Sequence, residues 1–283
     1  MNPNILLFLL LCINIFANEE EIKSDTNNHE TKEYIKKWED SSFGLKPHYV
    51  NYILPYGFRE GKYTSYDTSS GEYDNIEAEL QVSLKINIAK HIFGLDEEYY
   101  LSYSHRAFWQ IYIESSPFRE TNYNPEIFIL FPLLDNSSIF QLNNLIVGYS
   151  HLSNGQGDNG ESVSNSRSVD YLYTTLRMEH DALITEFTLW VPFPGNDLSD
   201  NPDLMDYVGY GELKFSYFTG KHMFTLKGRG NISTENGAVE ATYSYPHIKD
   251  VYLYGKIFSG YGESLIDYNN YITKFSIGFS FSR

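Results

Sequence analysis

The sequence predicts an all-β protein: a twelve-stranded antiparallel transmembrane β-barrel with a polar amino-terminal arm. Three observations lead there. The chain opens on a short apolar leader, and beyond residue 17 it has no apolar run near 18 residues, so no membrane-spanning helix is available. From about Tyr49 onward it falls into alternating runs separated by Gly, Asn, Asp and Pro clusters. Its aromatic load is high, with 25 Tyr and 19 Phe, which favours strands and suits the aromatic girdles of a membrane barrel.

Taken in order, Ile5 to Phe16 form the apolar run, broken only at Asn14, and small Ala17 precedes Asn18-Glu-Glu-Glu-Ile22. This pattern reads as a signal peptide over residues 1–17. The single cysteine, Cys12, lies within it and lacks the small preceding residues of a lipoprotein signal, so the mature chain is expected to have no disulfide. Residues 18–47 are polar, with Asp25-Thr-Asn-Asn-His-Glu30 at their centre. They read as a flexible arm, partly helical around Lys32–Trp38. Residues 48–283 form the predicted barrel domain.

The last run shows the barrel pattern most clearly. Tyr271, Thr273, Phe275, Ile277, Phe279 and Phe281 share one face; Lys274, Ser276, Gly278, Ser280 and Ser282 share the other, with Ile272 the exception. The predicted strands lie near 48–57, 76–88, 98–112, 122–131, 139–152, 167–179, 182–192, 206–218, 222–231, 236–245, 249–259 and 270–281. An even count of strands of about ten residues is the pattern of bacterial outer-membrane barrels. A sandwich strand has the same period; the leader, the aromatic load and the even count favour the barrel. The net charge of −16 argues against nucleic acid and is compatible with divalent cations.

The chemistry centres on Tyr149-Ser-His-Leu-Ser-Asn-Gly155 and Ser166-Arg-Ser-Val-Asp170. Side chains at i and i+2 of a strand share a face, so His151 and Ser153 point the same way. Asp170 lies on the next run, which a hairpin returns alongside. A nucleophile, a base and an orienting acid thus meet in one hairpin. His151 and Ser153 share parity with Leu145, Val147 and Tyr149, and Asp170 with Leu172, Thr174, Leu176 and Met178. Both readings put the polar residues on the apolar, lipid-facing side near a loop, where polar groups are costly and suspect as functional. A phospholipid ester at the interface is the substrate that suits this position. The chain has no Gly-x-Ser-x-Gly elbow, no His-Glu-x-x-His and no cysteine cluster, so an ordinary α/β-hydrolase and a zinc enzyme find no support.

The sequence resembles the outer-membrane phospholipase A family, calcium-dependent barrel lipases of Gram-negative bacteria. The resemblance is carried, in family order, by Ser115-Ser-Pro-Phe-Arg-Glu-Thr-Asn-Tyr123, by the two segments above continued through Tyr173, by Asp200-Asn-Pro-Asp203, and by Ser259-Gly-Tyr-Gly-Glu-Ser-Leu-Ile-Asp-Tyr-Asn269. It implies calcium-dependent hydrolysis of phospholipid and lysophospholipid acyl esters (phospholipase A1/A2) in the bacterial outer membrane, activated by dimerisation. Ser153 would be the nucleophile, His151 the general base and acid, and Asp170 the residue orienting His151. The family usually has asparagine at that third position; a carboxylate adds stabilisation of the imidazolium, so the pH–rate profiles of wild type and Asp170→Asn are expected to differ.

By resemblance, calcium (Ca2+) would be bound by the Ser166 hydroxyl, the Gln156 backbone carbonyl and Ser115 supplied by the partner subunit, although the loop 156–165 is longer than the family pattern. Asp158 and Asp200 match acidic positions of a second metal site. His105 matches a glutamine at the family's dimer interface. Ser259–Asn269 reads as a structural loop. The alternatives are a catalytically inactive barrel and a passive porin.

Overall fold

The computed structural model describes residues 44–61, 63, 73–133, 142–157, 165–193 and 200–283. The predicted leader and nearly all of the predicted arm lie outside these residues. The strands are β1 (Lys46–Pro47), β2 (Tyr52–Arg59), β3 (Ile76–Lys90), β4 (Glu98–Trp109), β5 (Phe118–Pro132), β6 (Leu142–Ser153), β7 (Ser168–His180), β8 (Leu183–Pro192), β9 (Gly211–Thr219), β10 (His222–Asn231), β11 (Asn236–Ile248), β12 (Val251–Gly260) and β13 (Ile272–Ser280). One short helix, α1 (Leu204–Val208), precedes β9.

Each strand from β2 to β13 pairs antiparallel with the next, and β13 pairs with β2, so the sheet closes. The two-residue β1 sits on the edge of β3 just beyond β2, pairing Lys46 with Lys85 where Tyr52 pairs with Gln81. β1 and β2 therefore share one position in the wall, and the barrel has twelve. Closure removes every free strand edge, the condition for backbone in hydrocarbon. One end carries two-residue turns, as between His180 and Leu183 and between Thr219 and His222. The other end carries the longer connections, including those after β6, β8 and β12.

Period two divides the side chains as the sequence predicts. On β13, Phe275 and Ile277 are 45% and 50% exposed on the outer face, whereas Lys274 and Ser276 are buried within. Ile272 turns inward and packs with Ala238 and Phe258. The lumen near the long-loop end is filled by paired charges. Glu77 accepts from Arg119 Nε at 2.9 Å and from Lys274 Nζ at 2.7 Å. Glu79 accepts from Arg106 Nε at 2.7 Å and from Lys256. Arg119 is the extra residue of a bulge, because Trp109 pairs with Phe118 and Phe108 with Glu120; the bulge turns Arg119 inward as well as Glu120.

The connection over residues 261–271 folds into this mouth. Glu263 meets Lys274 at 3.1 Å, Asp267 pairs with Arg119, and Leu265 N–H donates to Asn122 Oδ1 at 3.2 Å. Nearer the short-turn end, Tyr100, Phe128 and Tyr173 form an apolar layer. His48 stacks on Phe128 with ring centroids 5.2 Å apart, and its Nε2 lies 3.0 Å from Glu126 Oε2.

Candidate active site

Strands β6 and β7 build the site at the long-loop end of the wall. Their register sets His151 opposite Asp170 and Ser153 opposite Ser168. The outer neighbours Val147 and Leu172 are exposed, and the intervening Gly148, Ser150, Val169 and Tyr173 are buried. His151, Ser153 and Asp170 therefore lie on the outer face.

His151 Nδ1 lies 2.7 Å from Asp170 Oδ1. An ionised carboxylate only accepts hydrogen bonds, so Nδ1 carries the proton and Nε2 presents its lone pair. Tyr149 O–H donates to the same oxygen at 2.7 Å. Ser153 Oγ accepts from Gly155 N–H at 3.1 Å. Gly155 holds φ at +66°, and a Cβ there would come within 2.7 Å of the Tyr123 ring. Tyr123 is the cross-strand partner of Ser153 on β5, so glycine is the residue that lets the chain turn away beside it.

The hairpin is fixed from within. Tyr123 pairs with Ser153 and Glu126 with Ser150; between them stands Pro125, which has no N–H to give. The side-chain amide of Asn124 donates instead to His151 O at 3.1 Å. Beyond Ser153, buried Asn154 clamps both stems of the loop. Its Oδ1 accepts from Gln156 N–H at 3.2 Å and Arg167 N–H at 3.0 Å, and its Nδ2 donates to Asn165 O at 2.8 Å. Asn201 Oδ1 accepts from Ser168 N–H at 2.9 Å.

Leu152 and Val169, the inward neighbours of the outer residues, pack with Leu204, Met205 and Tyr268. Tyr268 donates to Asp203, and burial together with that carboxylate pushes its phenol well above the usual range, so it stays a donor.

The other predicted residues fall as follows. Gln156 and Ser166 stand on the two stems that Asn154 holds together. Ser115 is exposed in the turn between β4 and β5, with φ +63°, on the hairpin next along the wall. Asp200 adjoins Asn201. Asp158 lies outside the described residues. His105 is on the outer face of β4, its ring stacked on Tyr123 at 5.0 Å and 6°. Its Nε2 is buried and has no hydrogen-bond partner among the described residues. Among the described residues, no group of three or more His, Cys, Asp or Glu could hold a metal; the ligands predicted for calcium are of other kinds. The sequence reading missed Tyr149, Asn154 and Asn201. Only Tyr149 carried a signal: a hydroxyl two residues before His151, on the same face.

A closed barrel with an imidazole, a serine hydroxyl and a carboxylate on its outer wall defines the class: an outer-membrane ester hydrolase. The model of the Phospholipase A1 family matches residues 28–281. Phospholipase A1 of Salmonella typhimurium is 36% identical over 244 residues, covering 84% of this chain and 82% of that protein. Among solved structures, outer membrane phospholipase A from Escherichia coli aligns with TM-score 0.76 at 35% identity, covering 83% of this chain and 97% of that one. A Salmonella typhi outer membrane phospholipase dimer with bound calcium aligns with TM-score 0.77 at 35% identity, covering 85% and 93%. The chain belongs to the phospholipase A1 family.

Proposed function

We propose that this protein hydrolyses the acyl esters of phospholipids and lysophospholipids through a Ser153–His151–Asp170 triad on the lipid-facing wall, with calcium, as a dimer. The observation that carries the reading is the 2.7 Å contact of His151 Nδ1 with Asp170 Oδ1 on the outer face, one alternate position from Ser153.

Ser153 Oγ attacks the ester carbonyl carbon while His151 Nε2 takes the hydroxyl proton. Asp170 stabilises the imidazolium that forms. The tetrahedral intermediate collapses as His151 returns the proton to the leaving alcohol oxygen, leaving an acyl group on Ser153. Water, deprotonated by His151, attacks that acyl carbon; the fatty acid leaves and Ser153 regains its proton. The carboxylate also fixes the tautomer. An asparagine could turn its amide N–H₂ toward Nδ1 and favour the wrong one, whereas Asp170 has no donor to offer.

The residues at the loop stems fit calcium, which takes oxygen ligands in flexible geometry. The Gln156 carbonyl and the Ser166 hydroxyl would hold it, with Ser115 from the partner subunit and Asp158 and Asp200 at a second site. When bound, calcium supplies positive charge that stabilises the oxyanion. Dimerisation, with His105 at the interface, would bring Ser115 to that ligand set. The passive-porin alternative has to accommodate a lumen whose long-loop end is filled by the buried Glu77–Arg119–Lys274 pairs.

The test is hydrolysis of a phospholipid or acyl-thioester substrate in mixed micelles, with calcium or chelator, by wild type and Ser153→Ala. Activity lost in both controls supports the reading. Activity that survives Ser153→Ala rejects the nucleophile, and an inactive wild type with calcium rejects the enzyme.

A further inference from the structure

Resting on the triad reading, we infer that Tyr149 is a fourth member of the relay: a positioning residue that locks the Asp170 carboxylate onto His151. Tyr149 stands two residues before His151, so period two puts both side chains on the outer face of β6. Across the ladder Tyr149 pairs with Leu172, and its phenol reaches diagonally to Asp170 Oδ1 at 2.7 Å. His151 Nδ1 meets that same oxygen at 2.7 Å. Two donors thus converge on one carboxylate oxygen.

The convergence matters because the terminal torsion of an aspartate is broad and roughly two-fold. With a single donor the carboxylate can rock and present either oxygen. A second donor on Oδ1 removes that freedom. On a lipid-facing wall bulk water is a poor substitute for the missing donor, and hydrogen bonds are stronger where the local dielectric is low. The phenol is itself held. Phe193 meets its ring edge-on, with centroids 5.7 Å apart and planes at 87°. The backbone N–H of Phe193 donates to Asp170 O at 2.8 Å. Asp170 is therefore fixed through its side chain from β6 and through its backbone from the chain leaving β8.

An interaction that aligns the base chiefly while the imidazolium forms acts on the transition state and not on substrate binding. Tyr149→Phe removes one oxygen and keeps the ring. It is expected to lower kcat roughly ten- to a hundredfold, the range typical of one hydrogen bond to a charged group, with KM unchanged. The rate at which a sulfonyl fluoride labels Ser153 should fall by a similar factor, because labelling also needs the aligned base.

The deciding measurement is the double-mutant cycle with Asp170→Ala, all variants first shown to be folded by heat-modifiable gel mobility. If Tyr149 works through Asp170, Tyr149→Phe changes little once the carboxylate is gone. A residue that merely supports the wall would impose the same factor in both backgrounds. Equal factors, or a Tyr149→Phe enzyme within twofold of wild type, overturn the inference. If Tyr149→Phe does not fold, Phe193→Leu loosens the ring and should show a smaller loss that also vanishes in Asp170→Ala; a loss that persists there overturns the inference too. Ser153→Ala run in parallel separates the two readings: activity surviving that change sinks the triad itself, whatever Tyr149 does.

Discussion

Replacing Asp170 tests the least expected member of the proposed triad, and the geometry sets the size of the effect. His151 Nδ1 and Asp170 Oδ1 are 2.7 Å apart, and the two side chains are 41% and 26% exposed. Unit charges about 4 Å apart interact by roughly 1 kcal/mol in water and about 4 kcal/mol at a protein surface. Partial exposure at the loop end of the wall places this pair in the lower half of that interval, about 1–2 kcal/mol. Asp170→Asn with its amide oxygen toward Nδ1 keeps an acceptor but loses the charge, so kcat should fall roughly 5- to 30-fold; with its N–H₂ there it favours the wrong tautomer and the loss grows toward about 10⁴-fold. Asp170→Ala loses charge and alignment together, with a loss on the order of 10⁴-fold. The assay is steady-state hydrolysis of an acyl-thioester at saturating calcium, with the dimer fraction of each variant matched by crosslinking. Asn and Ala variants equal to each other and to wild type would refute a working carboxylate.

Three further outcomes follow from the structure. Asn154→Ala leaves the N–H groups of Gln156 and Arg167 without their acceptor, at about 1–3 kcal/mol each where they are buried; protease cleavage between residues 156 and 166 should accelerate, and an unchanged cleavage rate counts against the clamp. Glu77→Leu removes one carboxylate from the buried Arg119 and Lys274 cations, leaving Arg119 with Asp267 and Lys274 with Glu263, and should destabilise the barrel by up to about 3 kcal/mol, read as a lower urea midpoint in detergent; an equal or higher midpoint means that the remaining carboxylates suffice. Ser166→Ala should raise the calcium concentration needed for half-maximal activity while leaving the plateau nearly intact, and a titration superimposable on wild type removes Ser166 from the ligand set.

The wall was legible because a barrel strand repeats every two residues and each face has one kind of surroundings. Phe275 and Ile277 against Lys274 and Ser276 state that directly, and the inward turn of Ile272 was visible as the one break in the pattern. Strand ends were less legible where another element borrows the same residues. The run predicted near 206–218 begins at Gly211, because Leu204–Val208 form a helical turn whose apolar side chains cover Val169 and Tyr268. The run predicted near 98–112 stops at Trp109, where the chain turns through Ser115 and Ser116 at positive φ. The outward parity of His151, Ser153 and Asp170 was also readable. What holds them was not, because Asn201 reaches Ser168 across 33 positions and Lys274 reaches Glu77 across 197. Pairings so distant leave no local signature in a single sequence.

Alternation also explains how a lipid-facing wall can hold a 2.7 Å contact steadily. Every outer residue of the site sits between inner residues that are tied down. Ser150 and Leu152 flank His151; Leu152 and Asn154 flank Ser153; Val169 and Tyr171 flank Asp170. Ser150 and Asn154 are held by hydrogen bonds, and Leu152, Val169 and Tyr171 by packing around Leu204, Met205 and Tyr268. On the outer face Tyr149 and Phe193 support Asp170, but the surrounding lipid neither packs in one fixed arrangement nor donates hydrogen bonds in its hydrocarbon region. The polar lumen therefore works as the scaffold of the outer site: the inward half of each strand fixes the backbone, and the backbone sets the outward half. In this barrel the inward residues of β6 and β7 and the geometry of the proposed site are two faces of the same strands, which is why Asn201, which reaches Ser168 from far along the chain, belongs to its physical explanation.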